Sequence, residues 1–240
     1  IDTNLDTATL GTFFVHWRPV NPNIEGNLYG SNGPLAKYDA AFGSTSLNYE
    51  LSHNVRYSNW EGHCDKASIV SALLNEPRLS VIYNGVTFSP DDIKGLLVKV
   101  IMSLPFEMKW LGRRYPDGGL YEPLPQTLIN GLSQWSSYHR PVIVDIERGY
   151  QVWNYSYDRI YVEGNTLKLE SRGFPTKNRQ YSFSGNMWTS DNPDFAWLTV
   201  PRGNLNSPSS WPQRNENRMD PFFNPLISPA NVYMLYSRSI

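Results

Sequence analysis

The spacing of apolar residues predicts two helices in the first half of the chain. Between residues 64 and 75, apolar residues recur at the spacing of one helix face, and Pro77 follows the run. A second helix is predicted to open at Ser89-Pro90, because Ser caps a helix and Pro fits its first turn. Its apolar positions continue to Ile101. Both segments are therefore expected to pack one apolar face inward.

Two more helices are predicted from shorter signals. Residues 35–42 follow Pro34, which suits the first position of a helix. Residues 125–135 also begin with Pro and carry apolar residues at helical spacing, and Gly131 lies inside that run. Residues 1–55 otherwise carry many turn signals and are expected to be largely irregular.

Short runs of β-branched and aromatic residues predict strands, mainly in the second half. Asn84-Gly85 lies between two such runs and is the strongest signal for a two-residue hairpin. Residues 141–146 form an apolar run interrupted by Asp145, which indicates a buried strand. Shorter strands are predicted at residues 11–17, 159–163, 167–171, 180–183 and 231–237.

Helices thus precede a β-rich half, an order that favours an α+β fold. Residues 111–122 are predicted to form a Gly-rich loop, and residues 201–229, rich in Pro, Asn and Ser, an irregular segment that wraps the fold.

Composition narrows the class of protein. Of the 240 residues, 40% are hydrophobic and 14% are aromatic. This composition is sufficient for a substantial hydrophobic core and argues against a disordered chain. The net charge is −1, which argues against nucleic acid or anionic membrane as a partner. No apolar run reaches the roughly 20 residues of a membrane helix. The chain begins at Ile1 without a leader sequence, so the question of whether a signal peptide has been removed stays open.

Cys64 is the only cysteine, so the chain has no intrachain disulfide and no zinc site built on cysteines. It opens the predicted helix 64–75, where the helix dipole stabilises a thiolate and raises its nucleophilicity at neutral pH. Gly62 permits close approach of a substrate, Trp60 is suited to wall a cleft, and His63 is expected to be structural or to face the substrate. The alternative is a buried Cys64 without a chemical role.

A nucleophilic cysteine needs a base, and the base needs an orienting group. His139 precedes the strand 141–146, and Asp145 lies near its end. Six residues of strand span about 20 Å, so the two meet only if the chain bends. His16 is the more distant alternative base. The residues show no metal-ligand spacing, and no cofactor is required.

Four blocks occur in an order that resembles the elicitor-type transglutaminases of oomycetes and marine bacteria. They are Gly33-Pro-Leu-Ala-Lys-Tyr-Asp39, Trp60-Glu-Gly-His-Cys64, Val86-Thr-Phe-Ser-Pro-Asp-Asp-Ile-Lys-Gly-Leu-Leu97 and Val144-Asp-Ile-Glu-Arg-Gly-Tyr-Gln-Val-Trp-Asn154. The resemblance covers about residues 33–160.

The resemblance implies a papain-like core at residues 33–165, with an irregular segment 1–32 before it and a β-rich extension 166–240 packed on it. It implies that Cys64 attacks a protein glutamine and passes the acyl group to a lysine amine. Asp145 takes the position of the acidic partner, and Trp60 with Trp153 would line the cleft. The resemblance also implies dependence on calcium and a role as a secreted or delivered effector or toxin.

One departure from the family bears on catalysis. The family carries a His in the helix before the strand of Asp145, whereas residues 125–132 contain none. Either His139 or His16 replaces it, or the protein is a noncatalytic binding module on the same scaffold. Hydrolysis of the thioester, as in a deamidase or a papain-like protease or amidase, is the alternative within the enzyme class.

Overall fold

A computed structural model describes residues 28–53, 66, 70, 74–101, 106–111, 113–114, 120–121, 123–136, 142–145, 154–157, 159–170, 178–190, 195–201 and 223–240. The predicted strand 11–17 and most of the predicted wrap 201–229 lie outside these residues.

Within the described residues, five helices and twelve strands have defined ends, and Lys66 and Val70 are helical as well. The helices are α1 (Pro34–Phe42), α2 (Ser46–His53), α3 (Pro90–Ile101), α4 (Pro125–Ser136) and α5 (Pro229–Ser237). The strands are β1 (Val81–Tyr83), β2 (Val86–Phe88), β3 (Phe106–Leu111), β4 (Arg113–Arg114), β5 (Leu120–Tyr121), β6 (Val142–Asp145), β7 (Asn154–Tyr157), β8 (Arg159–Glu163), β9 (Thr166–Glu170), β10 (Arg179–Ser184), β11 (Met187–Trp188) and β12 (Phe195–Pro201). This mixture of helices and antiparallel strands confirms the predicted α+β class.

Helix α3 begins where its capping residues predict. The Ser89 side chain accepts a hydrogen bond from the Asp92 amide at 3.2 Å, and the Asp92 carboxylate accepts one from the Ser89 amide at 2.7 Å. This reciprocal capping satisfies two backbone donors that the first turn leaves unpaired. Lys37 of α1 donates to the same carboxylate at 2.7 Å, so the cap also joins two helices.

The expectation of a largely irregular first 55 residues is wrong for residues 28–53, which contain α1 and α2. Helix α1 was predicted, but α2 was not, because its cap comes from another helix. The Asp39 carboxylate accepts hydrogen bonds from the Ser46 and Leu47 amides at 2.7 and 2.9 Å. A cap seven residues upstream is not visible in a local capping pattern.

The predicted strand at 231–237 is also wrong, since these residues belong to α5. Ser228 caps the helix by accepting from the Asn231 amide at 3.5 Å, and Pro229 occupies its first turn. The same Ser-Pro pair opens α3, so the local signal was present in the sequence. Val232 and Leu235 are fully buried, and α5 packs against α3.

The Asn84-Gly85 hairpin is confirmed. Strands β1 and β2 pair antiparallel with Tyr83 opposite Val86. Asn84 and Gly85 have φ values of 49° and 79°. Positive φ at both central residues defines the turn whose twist matches that of the strands, which explains why this dipeptide forms it.

Two antiparallel four-stranded sheets form the β-rich part. One has the order β3-β12-β6-β7, and the other is the meander β11-β10-β9-β8. Strand β12 comes from the predicted extension 166–240 but lies between β3 and β6, so the predicted core and the predicted extension share a sheet. The division of the chain at residue 165 stays a prediction. The predicted Gly-rich loop 111–122 contains a short hairpin, in which β4 pairs with β5.

The helical part of the core surrounds a buried ion pair. Lys99 of α3 donates to the carboxylate of Glu50 in α2, and both side chains have no exposed surface. The Asn224 side-chain amide donates to Glu50 Oε2 at 2.9 Å and to the Ser46 carbonyl at 2.8 Å. A buried charge is stable only when its hydrogen bonds are satisfied, and this cluster satisfies them with three separate segments.

Tyr38 of α1 forms hydrogen bonds with the C-terminal segment around α5. Its hydroxyl accepts from the Ser228 amide at 2.8 Å and from the Asn231 side chain at 3.2 Å. Burial raises the pKa of Tyr38, so its phenol stays neutral over the physiological pH range.

Glu50→Ala is expected to lower the free energy of unfolding by about 3–5 kcal/mol, because it leaves the Lys99 ammonium buried without its carboxylate. Urea unfolding followed by circular dichroism measures the change. The matched control is Arg159→Ala, which breaks the exposed Arg159–Glu170 pair at 3.2 Å and should change stability little. Equal effects of the two substitutions would contradict the assignment of the buried pair as a major support of the fold.

Candidate active site

The predicted site residues fall mostly outside the described residues. Asp145 lies within them, at the end of β6. The others lie outside: Trp60, Gly62, His63, Cys64, His139 and Trp153. The alternative base His16 lies outside as well. The structure therefore describes the strands around Asp145 and part of the helix that follows Cys64.

Asp145 ends an interior strand of the first sheet. Its Cα partners are Phe195 on β12 and Asn154 on β7, so the residue is paired on both sides. The run Val142–Asp145 is β-branched apart from its last residue, which favours a strand at this place. A strand paired on both sides holds its backbone more firmly than a loop, which suits a residue that must be positioned for chemistry.

Helix α4 supports this sheet from one face. It packs against β3, β6 and β12 and connects closely to β6 in sequence. A Cβ on Gly131 would lie 2.4 Å from Cδ1 of Leu111 in β3, so any larger residue here would have to displace the Leu111 side chain. Gly131, which lies inside the predicted helix, is thus a point where α4 closely approaches β3.

The helix predicted at residues 64–75 is described at residues 66, 70, 74 and 75, and of these Leu74 and Asn75 lie beyond its helical part. Lys66 and Val70 are helical, and the Leu74 amide donates to the Val70 carbonyl at 2.9 Å, the spacing of an α-helix. Lys66, Val70 and Leu74 are all buried. Residues four apart share one face of a helix, so this face is packed into the protein.

A small cleft lies between α4 and the β8–β9 hairpin. It has a volume of about 170 Å³ and is lined by Ile129, Leu132, Ser133, Ile160, Tyr161, Val162 and Leu167. The Tyr161 hydroxyl donates to Glu170 at 2.8 Å, and this hydrogen bond raises the pKa of Tyr161. The lining combines aliphatic side chains with the hydroxyls of Ser133 and Tyr161, and it contains no His, Cys, Asp, Glu or Lys.

Helix α4 occupies the place where the family resemblance puts a histidine, and it carries none. Within the described residues, no group of three His, Cys, Asp or Glu side chains is arranged to hold a metal ion. None of the helices in that part of the chain is both long and apolar enough to cross a bilayer.

The pairing that sequence reasoning missed is that of Asp145 with Asn154. Asn154 ends the fourth family block and begins the sequon Asn154-Tyr-Ser156, and neither feature shows that it is a neighbour of Asp145. The two are nine positions apart in the chain, and only the antiparallel register of β6 and β7 sets them opposite each other. A local motif cannot show such a pairing.

Neither a protein-family model nor a curated protein matches the chain by sequence. Among solved structures, the crystal structure of the GP42 transglutaminase from Phytophthora sojae is similar over 98% of this chain and 98% of its own. The TM-score is 0.56 and the sequence identity is 17%. The protein therefore has a transglutaminase-like fold of the α+β class. At this identity the similarity concerns the fold, and activity must be argued from the site.

Gly131→Ala is expected to destabilise the protein by about 1–2 kcal/mol, because the overlap with Leu111 outweighs the better helix propensity of Ala. Thermal unfolding measures the effect. Thr127→Ala, on the exposed side of the same helix, is the matched control and should stay within about 0.5 kcal/mol of the parent protein. A stabilised Gly131→Ala protein would contradict the close contact between α4 and β3.

Proposed function

We propose that the protein is a transglutaminase-like acyltransferase that acts on glutamine side chains of proteins through Cys64. The observation that carries the proposal is the structural similarity to a transglutaminase over 98% of both chains. That span is much larger than the four sequence blocks together, which occupy residues 33–39, 60–64, 86–97 and 144–154. A papain-like core at residues 33–165 is part of the same proposal.

The helix described at Lys66 and Val70 supports a chemical role for Cys64. Its buried face contains Lys66, Val70 and Leu74. Cys64 precedes Lys66 by two positions in the sequence. We propose that it acts at the positive end of this helix's dipole, where a thiolate is stabilised.

In the proposed reaction, the base removes the thiol proton and the Cys64 thiolate attacks the carboxamide carbon of a glutamine. The base returns the proton to the departing ammonia, and a thioester remains on Cys64. A lysine amine then attacks the thioester, loses a proton to the base and releases the thiolate. Asp145 orients the imidazole of His139 or His16 and stabilises its charged form.

The binding groups in this proposal come from the block around Cys64 and from the block before β7. Trp60 and Trp153 line the cleft, Gly62 permits approach of the backbone, and His63 faces the substrate. The partner is a protein with accessible glutamine and lysine side chains. We further propose that the protein is a secreted or delivered effector or toxin. Whether its activity requires calcium is tested directly by the assay below.

A noncatalytic binding module on the same fold is the second candidate. The observation that favours it is the absence of histidine from α4, where the resemblance places a family histidine. Within the enzyme class, water in place of the amine would give deamidation of glutamine. The balance between amine and water depends on how well the site excludes water.

Incubation with a glutamine peptide and a labelled amine, with and without calcium, tests the proposed reaction. The intact chain is expected to incorporate the amine, and Cys64→Ala is expected to lower the rate by about three orders of magnitude or more, since the covalent step has no substitute. Mass spectrometry of the peptide separates amine transfer from deamidation and cleavage. A folded intact chain that yields none of these products would contradict the enzyme and favour the binding module.

His139→Ala and His16→Ala identify the base within the same assay. His53→Ala is the matched control, because His53 is exposed on α2, where it is hydrogen-bonded to Ser52 and stacked on Tyr49. The base variant should lose activity to nearly the level of Cys64→Ala, while the control keeps it.

Alkylation of Cys64 tests activation of the thiol without any substrate. An activated Cys64 should react rapidly with iodoacetamide at pH 6, where an ordinary thiol of pKa about 8.5 is almost entirely protonated. Loss of free thiol over time, measured from pH 5 to 9, gives the profile. A slow reaction that rises only above pH 8 would indicate an ordinary thiol and count against the nucleophile.

A further inference from the structure

Strand β8 has a free edge within the part of the chain that the structure describes, where it pairs with β9 alone. Glu163 lies opposite Thr166 across a two-residue turn, in which Gly164 has a φ of 57°. The residues that flank such a turn are hydrogen-bonded to each other, and bonded and non-bonded pairs then alternate along the hairpin. Ile160 and Val162 therefore fall at non-bonded pairs, and their backbone N–H and C=O groups point away from β9 to the free edge.

The cleft beside α4 runs along the same stretch of β8. Ile160 and Val162 line it together with Leu167, which lies opposite Val162 on β9. Alternate residues of a strand share a face, so the two residues with outward-pointing backbone groups are also those whose side chains face the cleft. Val162 is 43% exposed, which shows that the cleft is open to solvent on the β8 side. A volume of about 170 Å³ admits one leucine-sized side chain, since a cavity of about 150 Å³ holds benzene.

The other face of the hairpin is occupied by its own polar contacts. The Tyr161 hydroxyl donates to Glu170, and the Arg159 guanidinium lies 4.4 Å from the centre of the Tyr161 ring. Arg159 also pairs with Glu170, and Glu163 pairs with Lys168. Arg159 and Glu163 nevertheless stay 60% and 67% exposed at the two ends of β8. A segment that lies along the edge thus meets a cation at one end and an anion at the other.

We propose that β8 is a docking edge for the protein substrate, an extended segment of which adds to it as an antiparallel strand and places an apolar side chain in the cleft. This inference rests on the proposed function, since it names a recognition site for the protein on which the enzyme would act. In strand addition, backbone hydrogen bonds supply affinity and pockets for alternate side chains supply selectivity. The best-matched segment carries leucine opposite Ile160 and Val162. It carries Lys opposite Glu163 and Glu opposite Arg159, because opposite charges across a pair stabilise a sheet.

A peptide of that pattern, Lys-Leu-Thr-Leu-Glu with blocked ends and a fluorescent label, tests the docking edge by anisotropy. Saturable binding is expected with a Kd below about 1 mM. A peptide with both leucines replaced by serine should bind about tenfold more weakly or worse, because it leaves the cleft unfilled. Absence of saturable binding up to that concentration would overturn the proposal.

Val162→Pro removes one outward N–H of the edge without removing a hydrogen bond to β9, since an edge strand accepts proline where its nitrogen faces outward. It should weaken peptide binding by about tenfold, the effect of one hydrogen bond together with the added bulk at the edge. Ile82→Pro is the matched control. Ile82 lies opposite Thr87 at the corresponding non-bonded pair of the β1–β2 hairpin and is 69% exposed. This variant should bind the peptide as the intact chain does.

Ser133→Phe tests the cleft independently of the edge. Ser133 lines the cleft from α4, so a phenyl ring there fills it and should weaken peptide binding by about tenfold. Thr127→Phe, exposed elsewhere on α4, is the control. Thermal unfolding shows which variants are folded. Folded Val162→Pro or Ser133→Phe protein that binds as tightly as the intact chain would overturn the docking edge, as would an equal loss in the controls.

Competition separates this inference from the proposed function. The unlabelled peptide should inhibit amine incorporation into casein, a protein substrate, but not into a short glutamine peptide that lacks a docking segment. Peptide binding without any amine incorporation would contradict the proposed function and leave the strand-binding edge standing. Incorporation into casein that saturating peptide does not reduce would overturn the docking edge while the enzyme stands. Sedimentation velocity covers the remaining occupant, because a dimer that Val162→Pro abolishes would place a second copy on the edge and also overturn the proposal.

Discussion

The buried pair of Glu50 and Lys99 is the constraint around which the helical part of the protein is arranged. Charges without solvent contact cost several kcal/mol each to desolvate, and only complete hydrogen bonding offsets that cost. Completion here requires Asn224, which donates to Glu50 and to the Ser46 carbonyl. Helices α2 and α3 therefore depend on a residue more than a hundred positions further along the chain. The C-terminal segment is a structural part of the helical lobe.

The same dependence on distant segments governs the sheet that carries Asp145. Strand β12 separates β3 from β6, although β6 precedes it by about fifty residues in the chain. Strand β7 then completes the other side of β6. Because both neighbours are antiparallel, the position of Asp145 is set by two registers at once. The neighbours of Asp145 are consequently set by the assembled sheet. A substitution that changes the pairing of β7 or β12 with β6 would change those neighbours.

The sequence predicted elements whose signals are local. Pro34, Ser89-Pro90 and Pro125 mark the starts of α1, α3 and α4, and Asn84-Gly85 marks a hairpin, because each residue acts on its own turn. Helix α2 escaped prediction since its cap, Asp39, belongs to another helix. Helix α5 was misassigned although Ser228-Pro229 is a local signal, because its apolar residues were read as a strand. Asp145 is proposed as the acidic residue from a block resemblance, whereas the residues opposite it follow only from strand register.

The geometry of β6 limits how the proposed base and its acidic partner can meet. Val142–Asp145 is an extended strand of about 10 Å, and Asp145 is its last residue. Both edges of β6 are occupied by β12 and β7, so a segment that turns back toward Asp145 must cross a face of the sheet. A base on a separate segment meets no such restriction. In either case the imidazole and the carboxylate are held by different parts of the chain, and the carboxylate must be fixed by contacts of its own.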